Sequence, residues 1–245
     1  TLTYSRSGIS YQESKERQQE ALEIITKAWT QECFSHEGKY YNLPDVSLSP
    51  KPYQKPHPPI YMAAVSPESF PWAGRMGYDL FINPRGERSV LLERFDQYRR
   101  AWREAGHPGE GKIVGSFLVY VAETTKKAHS DPEEGTMELF QLQSKMLVPL
   151  DWLPKESNDR RSEASRYLAE TSYDEHLRTN VIMHYGTPDS VTESLLRLKN
   201  DLGLSGFMLD MNCYNSLSPQ LTINSMRLFS EEVIPQLNIA INTST

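Results

Sequence analysis

The apolar positions of residues 14–33 recur at helical spacing. Leu22, Ile25 and Trp29 fall at i, i+3 and i+7 with Ala21 and Ala28 beside them, and Ser14 stands where it can cap the start. Residues 34–59 show no such period. Five prolines between Pro50 and Pro59 bar the stretch from a helix or a central strand, so it is expected as an extended loop on the outside of the fold. The run Ile60-Tyr61-Met62-Ala63-Ala64-Val65 reads as a buried strand, followed by a helix over 67–77 that stops at Gly77. A second strand is expected at 78–83, with Pro84-Arg85-Gly86 as its outgoing loop. Helix 87–105 then carries Leu91, Phe95, Tyr98, Trp102 and Ala105 on one face, and Gly106 ends it.

A strand over 113–122 leads to a helix from about Lys126 to Leu147, interrupted near Pro132. Residues 151–180 break the pattern. Twelve of these thirty are Asp, Glu, Lys or Arg, and the stretch is expected as a polar excursion, partly helical around 163–169. Thr187-Pro188-Asp189 opens a helix with Val191, Leu195, Leu198 and Leu202 on one side and Gly203 as its stop. Strand 205–211 and a last helix after Ser218-Pro219 complete the chain. Strand and helix alternating at this spacing argue for a parallel sheet with helical crossovers.

Composition refines this picture. Apolar residues make up 38% of the 245, below the roughly 45–50% of an average globular chain, which fits an exposed excursion or an incomplete core. The net charge of −6 comes without a basic stripe and argues against nucleic acid. No apolar run approaches the roughly 18 residues of a membrane span, and no signal peptide is visible. Cys33 and Cys213 lack metal-ligand spacing and read as reduced thiols of a cytoplasmic protein. There is no G-x-S-x-G or G-x-x-x-x-G-K pattern, which disfavours an α/β-hydrolase and a P-loop NTPase.

The most telling stretch is Ser66-Pro67-Glu68-Ser69. Read after its strand, it delivers Ser66 as a helix N-cap, puts Pro67 where a missing N–H costs nothing, and sets Ser69 one turn inside. Free N–H groups and two hydroxyls at a helix start make an anion site. Read blandly, Ser66 is a cap and nothing more. Among the other outward candidates, Asn83 and Arg85 follow strand 78–83, Asn212 and Tyr214 follow strand 205–211, and His184 stands at the entry to the last strand–helix unit. An arginine at position 85 could reach a phosphate or an anionic substrate, or simply face water. His36, His57 and His107 read as structural, and His129 and His176 fall in polar, exposed stretches. No histidine pair has ligand spacing with a carboxylate, so no metal is expected.

Three stretches in order, His36-Glu37-Gly38-Lys39-Tyr40-Tyr41, residues 46–60 from Val46-Ser47-Leu48 to Pro58-Pro59-Ile60, and Ala64-Val65-Ser66-Pro67-Glu68-Ser69, carry a resemblance. With Glu13 to Arg17, Ala105-Gly106-His107, residues 119–124, Gly186-Thr187-Pro188, residues 225–229 and Val233-Ile234-Pro235, the chain resembles the bacterial luciferase-like flavin-dependent monooxygenases from about residue 9 to about 237. The resemblance implies an α/β fold, a (β/α)8 TIM barrel, of which residues 1–245 would be the carboxyl-terminal two-thirds of a single domain, without the first strands. It implies a two-component monooxygenase in which reduced FMN, supplied by a separate flavin reductase, reacts with O2 and oxygenates a small organic substrate through a C4a-peroxyflavin. It places the flavin phosphate on Ser66 and Ser69, the ring flank near Val65, and a further phosphate contact at Tyr4. His184, Asn83 and Arg85 are left as substrate-side candidates, with no residue named as the general base. A homodimer is expected. The alternatives are an F420-dependent oxidoreductase on the same fold and a non-catalytic flavin-binding or pairing subunit.

Overall fold

The computed structural model describes residues 8–84, 87–147, 150, 155–212 and 216–243. The chain divides into two compact units, Thr1–Ile60 and Tyr61–Thr245.

In the first unit, helix α1 (Ser14–Thr30) follows a short 3-10 turn, and Glu13 rather than Ser14 holds the cap position. The following stretch departs from the expected loop. Strands β1 (Phe34–Glu37) and β2 (Asn42–Val46) form an antiparallel hairpin, with His36 opposite Leu43 and an irregularity between Phe34 and His36. Phe34 and His36 turn inward and Ser35 and Glu37 outward. A histidine can take the inner position because its polar atoms are met. Its Nε2 donates to Glu20 Oε1 at 3.1 Å, and Nδ1 faces Lys27 Nζ at 3.4 Å. Glu20 also accepts the backbone N–H of Tyr41 at 2.9 Å and that of Tyr40. Burial opposes the charge on Glu20, but these donors outweigh it and hold its carboxyl below the usual range. The prolines confine regular pairing to 34–46 and leave 47–60 without strand or helix.

The second unit is built on parallel strands β3 (Tyr61–Ala63), β4 (Asp79–Ile82), β5 (Ile113–Val121), β6 (Met183–Gly186) and β7 (Gly206–Asp210). Val114 pairs with Phe81 of β4 and also with Gly206 of β7, so these two strands lie on opposite edges of β5. Leu118 pairs with both Met183 and Asp210, which puts β6 on the edge shared with β4, further along the nine-residue strand. The continuous row is therefore β3-β4-β5-β7.

Successive residues of a strand face opposite sides, and the register sorts this sheet into two unlike faces. Met62, Leu80, Ile82, Ile113, Phe117 and Val119 lie on one side and are buried. Helices α2 (Ser69–Met76), α3 (Arg88–Glu104) and α8 (Pro188–Leu202) supply the layer that covers them. On α3 the expected stripe of Leu91, Phe95, Tyr98 and Trp102 is buried, and Ala101 joins it. Gly74 of α2 sits so close to α3 that a Cβ there would lie 2.4 Å from the Tyr98 carbonyl oxygen. Gly77 and Gly203 close α2 and α8 with φ of +70° and +62°, a conformation that glycine adopts without strain.

Helices α4 (Thr125–Ser130) and α5 (Glu133–Met146) follow β5, parted at Pro132 as expected. Within the polar stretch, residues 155–180 are more regular than their composition suggests, with α6 (Lys155–Glu170) and α7 (Tyr173–Thr179). Ser165 Oγ donates to the Ser144 carbonyl at 2.9 Å and Gln141 Nε2 to the Ala169 carbonyl at 3.0 Å, which ties α6 to α5. His176, expected in an exposed stretch, is fully buried between the rings of Phe140 and Tyr167. The chain ends with α9 (Pro219–Leu228), a π-helical turn over Phe229–Val233, and α10 (Ile234–Thr243).

Candidate functional site at the carboxyl ends of the strands

The second face of the sheet is open in part: Asp79, Leu118 and Tyr120 on it are buried, and others are not. Tyr61 and Met208 are 43% and 48% exposed, Val65 is 82% exposed, and Phe81, Val114 and Ser116 are half-buried.

The register aligns the strand ends on this face. Ala63 pairs with Phe81 and Phe81 with Val114. Beyond these pairs, Val65 and Asn83 follow the ends of β3 and β4, and Ser116 is the next residue of this face within β5. Ser116 in turn pairs with Met208, and Leu118 with Asp210. Val65 and Asn83 thus stand at the carboxyl ends of β3 and β4, the side on which parallel α/β sheets bind ligands because loops and helix starts converge there, while Ser116 and Met208 lie within β5 and β7. Asn83, Ser116 and Asp210 meet Gln143 of α5 around a narrow crevice of about 10 Å³, also lined by Leu118. Asp210 accepts the Asn212 backbone N–H at 3.0 Å, and the Asn212 side chain accepts the Leu217 N–H and the Thr222 hydroxyl, which shapes the loop after β7. Asn212 thus organises the rim.

At the end of β3, Val65 and Ser66 are both exposed. The serine is not the helix N-cap it was expected to be. Glu68 holds that position without a side-chain cap bond, and α2 begins at Ser69. The Ser66 carbonyl accepts both the Ser69 N–H at 3.0 Å and the Ser69 hydroxyl at 2.5 Å. A residue that precedes proline is held in extended backbone, so Ser66 stays outside the helix and its carbonyl closes the turn. The expected wealth of free donors is reduced as well. Pro67 and Pro71 have no N–H, and Ser69 has spent both of its donors on Ser66. The Ser66 hydroxyl remains, on an exposed residue.

His184, expected on the substrate side, turns the other way. It pairs with Val119 on the helix-covered face and is buried. Nε2 meets the Val181 carbonyl at 3.2 Å, which requires the proton on that nitrogen, and Nδ1 then accepts the Ser194 hydroxyl of α8 at 2.7 Å. Burial pushes its pKa down to about 4, and the Arg197 charge adds to that, so the ring is a neutral structural partner. It is separated from the open face by the sheet. Tyr4, Arg85 and Tyr214 lie outside the described residues. Among the described residues no group of three or more His, Cys, Asp or Glu is arranged to hold a metal, and no helix is long and apolar enough to cross a membrane.

Against known families, residues 2–205 match the model of the luciferase-like monooxygenases. The chain belongs to this family. The luciferase-like chain is 27% identical over 212 residues to the FMNH2-dependent dimethylsulfone monooxygenase of Pseudomonas putida, covering 82% of its own length and 55% of that protein. It is 38% identical over 116 residues to the F420-dependent glucose-6-phosphate dehydrogenase of Kineococcus radiotolerans, covering 46% of this chain and 34% of that one. The solved EDTA monooxygenase of Chelativorans sp. BNC1 matches with a TM-score of 0.71 over 96% of this chain and 62% of that one, at 20% identity, a likeness of fold. The chain thus spans about half the length of the first of these curated relatives. For a luciferase-like protein the β3 end is one of the stretches that together carried the resemblance, and Val65 and Ser66 there are exposed.

Asp210, Gln143 and Ser116 were not singled out from the sequence. Asp210 had a legible signal, a carboxylate closing the apolar run Phe207-Met208-Leu209. Gln143 lies mid-helix and carries none.

Proposed function

We propose that the luciferase-like chain is the oxygenase part of a two-component flavin monooxygenase, which takes reduced FMN from a separate reductase and uses O2 to oxygenate a small organic substrate. The observation that carries this reading is the carboxyl end of β3, where Val65 and Ser66 are exposed beside the start of α2, in a chain of this family. The residues fit a flavin in part. Val65 would offer an apolar flank to the ring and Ser66 a hydroxyl to the phosphate. Ser69 would contribute only by exchanging its bond to the Ser66 carbonyl, and Glu68 beside them brings a negative charge that works against an anion. Tyr4 and Arg85 stay part of the proposal as further phosphate or substrate contacts. When bound, the reduced flavin would supply the oxygen chemistry by the route the resemblance implies. The protein's own contribution would be to orient the ring and to exclude water beside Val65. Placement in the cytoplasm and a homodimer belong to the same proposal.

A second reading has support in the partial likeness to an F420-dependent dehydrogenase: hydride transfer with F420 at the same strand ends. Anaerobic titrations of the protein with reduced FMN and with reduced F420, in parallel, separate the two. Tighter binding of FMN, with O2-dependent consumption of the flavin on aeration, supports the monooxygenase. Preference for F420 without oxygen uptake overturns it in favour of hydride transfer, and binding of neither leaves the pairing-subunit reading.

A further inference from the structure

The polar excursion builds a cavity of its own. Arg160, Glu163, Ala164, Tyr167 and Leu168 stand at i, i+3, i+4, i+7 and i+8 of α6, which makes them one face of the helix. That face and the turn through Thr179, Asn180 and Val181 into β6 line a cavity of about 490 Å³. The volume falls in the range of small-molecule pockets.

Its polarity is graded along α6. Both charges lie toward the start of the helix, and the apolar side chains follow. Leu168 is buried, while Tyr167 and Val181 leave 39% and 47% of their surface uncovered. The tyrosine is held in place. Its ring packs against that of His176, with centroids 4.9 Å apart. The Thr179 hydroxyl donates to the Glu175 carbonyl at 2.8 Å, so the Tyr167 hydroxyl is the donor in its 3.1 Å bond to Thr179. At the charged end, Arg160 and Glu163 are helix-face neighbours and yet do not pair. Among the described residues neither forms an ion pair, and the Arg160 side chain makes one hydrogen bond, from Nε to the Glu156 carbonyl at 3.3 Å. On a bare helix face two such charges would simply be solvated. Here they stand at one end of a cavity whose other end is apolar.

From this grading we infer that the cavity binds a small zwitterion of the α-amino-acid type with a large apolar side chain. The carboxylate lies on Arg160, the ammonium on Glu163, and the side chain along Ala164, Tyr167 and Val181. From Arg160 to Leu168 the helix rises about 12 Å, at about 1.5 Å per residue, which limits the ligand to a head and one side chain. The paired charges set the selectivity. A carboxylate without an ammonium would face Glu163, and an ammonium without a carboxylate would face Arg160, so a head carrying both meets each charge with its opposite. None of these residues belongs to the β3 end, so the inference stands apart from the flavin reading.

The test is a ligand-observed NMR titration of the full chain at pH 7 with three probes of closely similar body. L-phenylalanine carries both charges, 3-phenylpropanoate only the carboxylate, and 2-phenylethylammonium only the ammonium. For ligands of about a dozen non-hydrogen atoms on exposed side chains, affinities in the millimolar range are expected. L-phenylalanine should bind about five-fold tighter than either half-probe. Arg160→Gln should weaken L-phenylalanine and 3-phenylpropanoate but not 2-phenylethylammonium, and Glu163→Gln should weaken L-phenylalanine and 2-phenylethylammonium but not 3-phenylpropanoate. Both side chains are exposed, so thermal melts of the variants should match that of the parent. The probe order in the unaltered protein decides the matter even if a variant fails to fold. No saturable binding of L-phenylalanine, binding no tighter than that of the half-probes, or variants that keep the parent's order of probes overturns the inference.

Discussion

The Ser69 hydroxyl donates to the Ser66 carbonyl at 2.5 Å, so the two serines three residues apart are not equivalent. One is spent inside the turn and the other sits on an exposed residue. If the flavin phosphate lies here, Ser66→Ala should weaken reduced FMN binding by about 1.5–3 kcal/mol, the scale of a hydrogen bond to a charged group, and Ser69→Ala by distinctly less. Anaerobic titration of the two variants reads the difference, and an equal or reversed effect contradicts the assignment.

The pair His184–Ser194 makes a prediction about acid. Burial holds the folded-state pKa of His184 near 4 against a usual 6.5, so the unfolded chain takes up a proton that the folded chain refuses. Stability from this group is complete above about pH 6.5 and falls as pH drops from 6.5 to 4, by about 3 kcal/mol in all. Urea unfolding at pH 7.5, 5.5 and 4.5 should show that loss, with a shallower acid limb in His184→Gln. Parallel acid limbs in the two proteins would rule the group out as the cause.

His176 is the costlier histidine. Both ring nitrogens are buried and neither makes a well-formed hydrogen bond; burial lowers its pKa, against a smaller opposing pull from Glu175 and the Leu168 backbone. Replacing it with a side chain of similar size that needs no partner should help. His176→Leu is expected to raise stability by about 1 kcal/mol at pH 7, and by more at pH 5. A loss of stability in urea unfolding would mean that the ring is satisfied in a way the geometry does not show.

At Gly74 the close approach of α2 and α3 leaves no room for a methyl group. Its Cβ would meet the Tyr98 carbonyl oxygen at 2.4 Å and the Trp102 nitrogen at 3.0 Å, both backbone atoms that cannot swing aside. Although alanine favours helix, Gly74→Ala should cost about 1–3 kcal/mol through displacement of α3. Equilibrium unfolding checks this, and a stabilised variant would show that the two helices can part at little cost.

What could be read from the sequence was what local pattern encodes. The stripe Leu91-Phe95-Tyr98-Trp102, the stops at Gly77 and Gly203, and the strands at 61–63, 79–82 and 206–210 follow from spacing alone. The hairpin at 34–46 did not, because its inner position is a histidine whose burial depends on Glu20, sixteen residues away. His184 was misplaced for a related reason. All four residues of β6 are buried, so no alternation of polar and apolar positions reveals which face each one takes. Val65 and Ser66 were found because they lie in one contiguous motif. Asp210, Asn83 and Gln143 come together from three distant segments, and only the strand register brings them to one crevice.

The central claim is that the flavin binds at the carboxyl end of β3, and Val65 tests it most directly. Its side chain is 82% exposed, so Val65→Asp should leave the thermal melt unchanged. The measurement is an anaerobic titration of the protein and of Val65→Asp with reduced FMN. The account predicts saturable binding to the protein and a loss of at least about ten-fold in the variant, from a carboxylate set against an apolar ring edge. Equal binding by both proteins would place the flavin elsewhere and contradict the account.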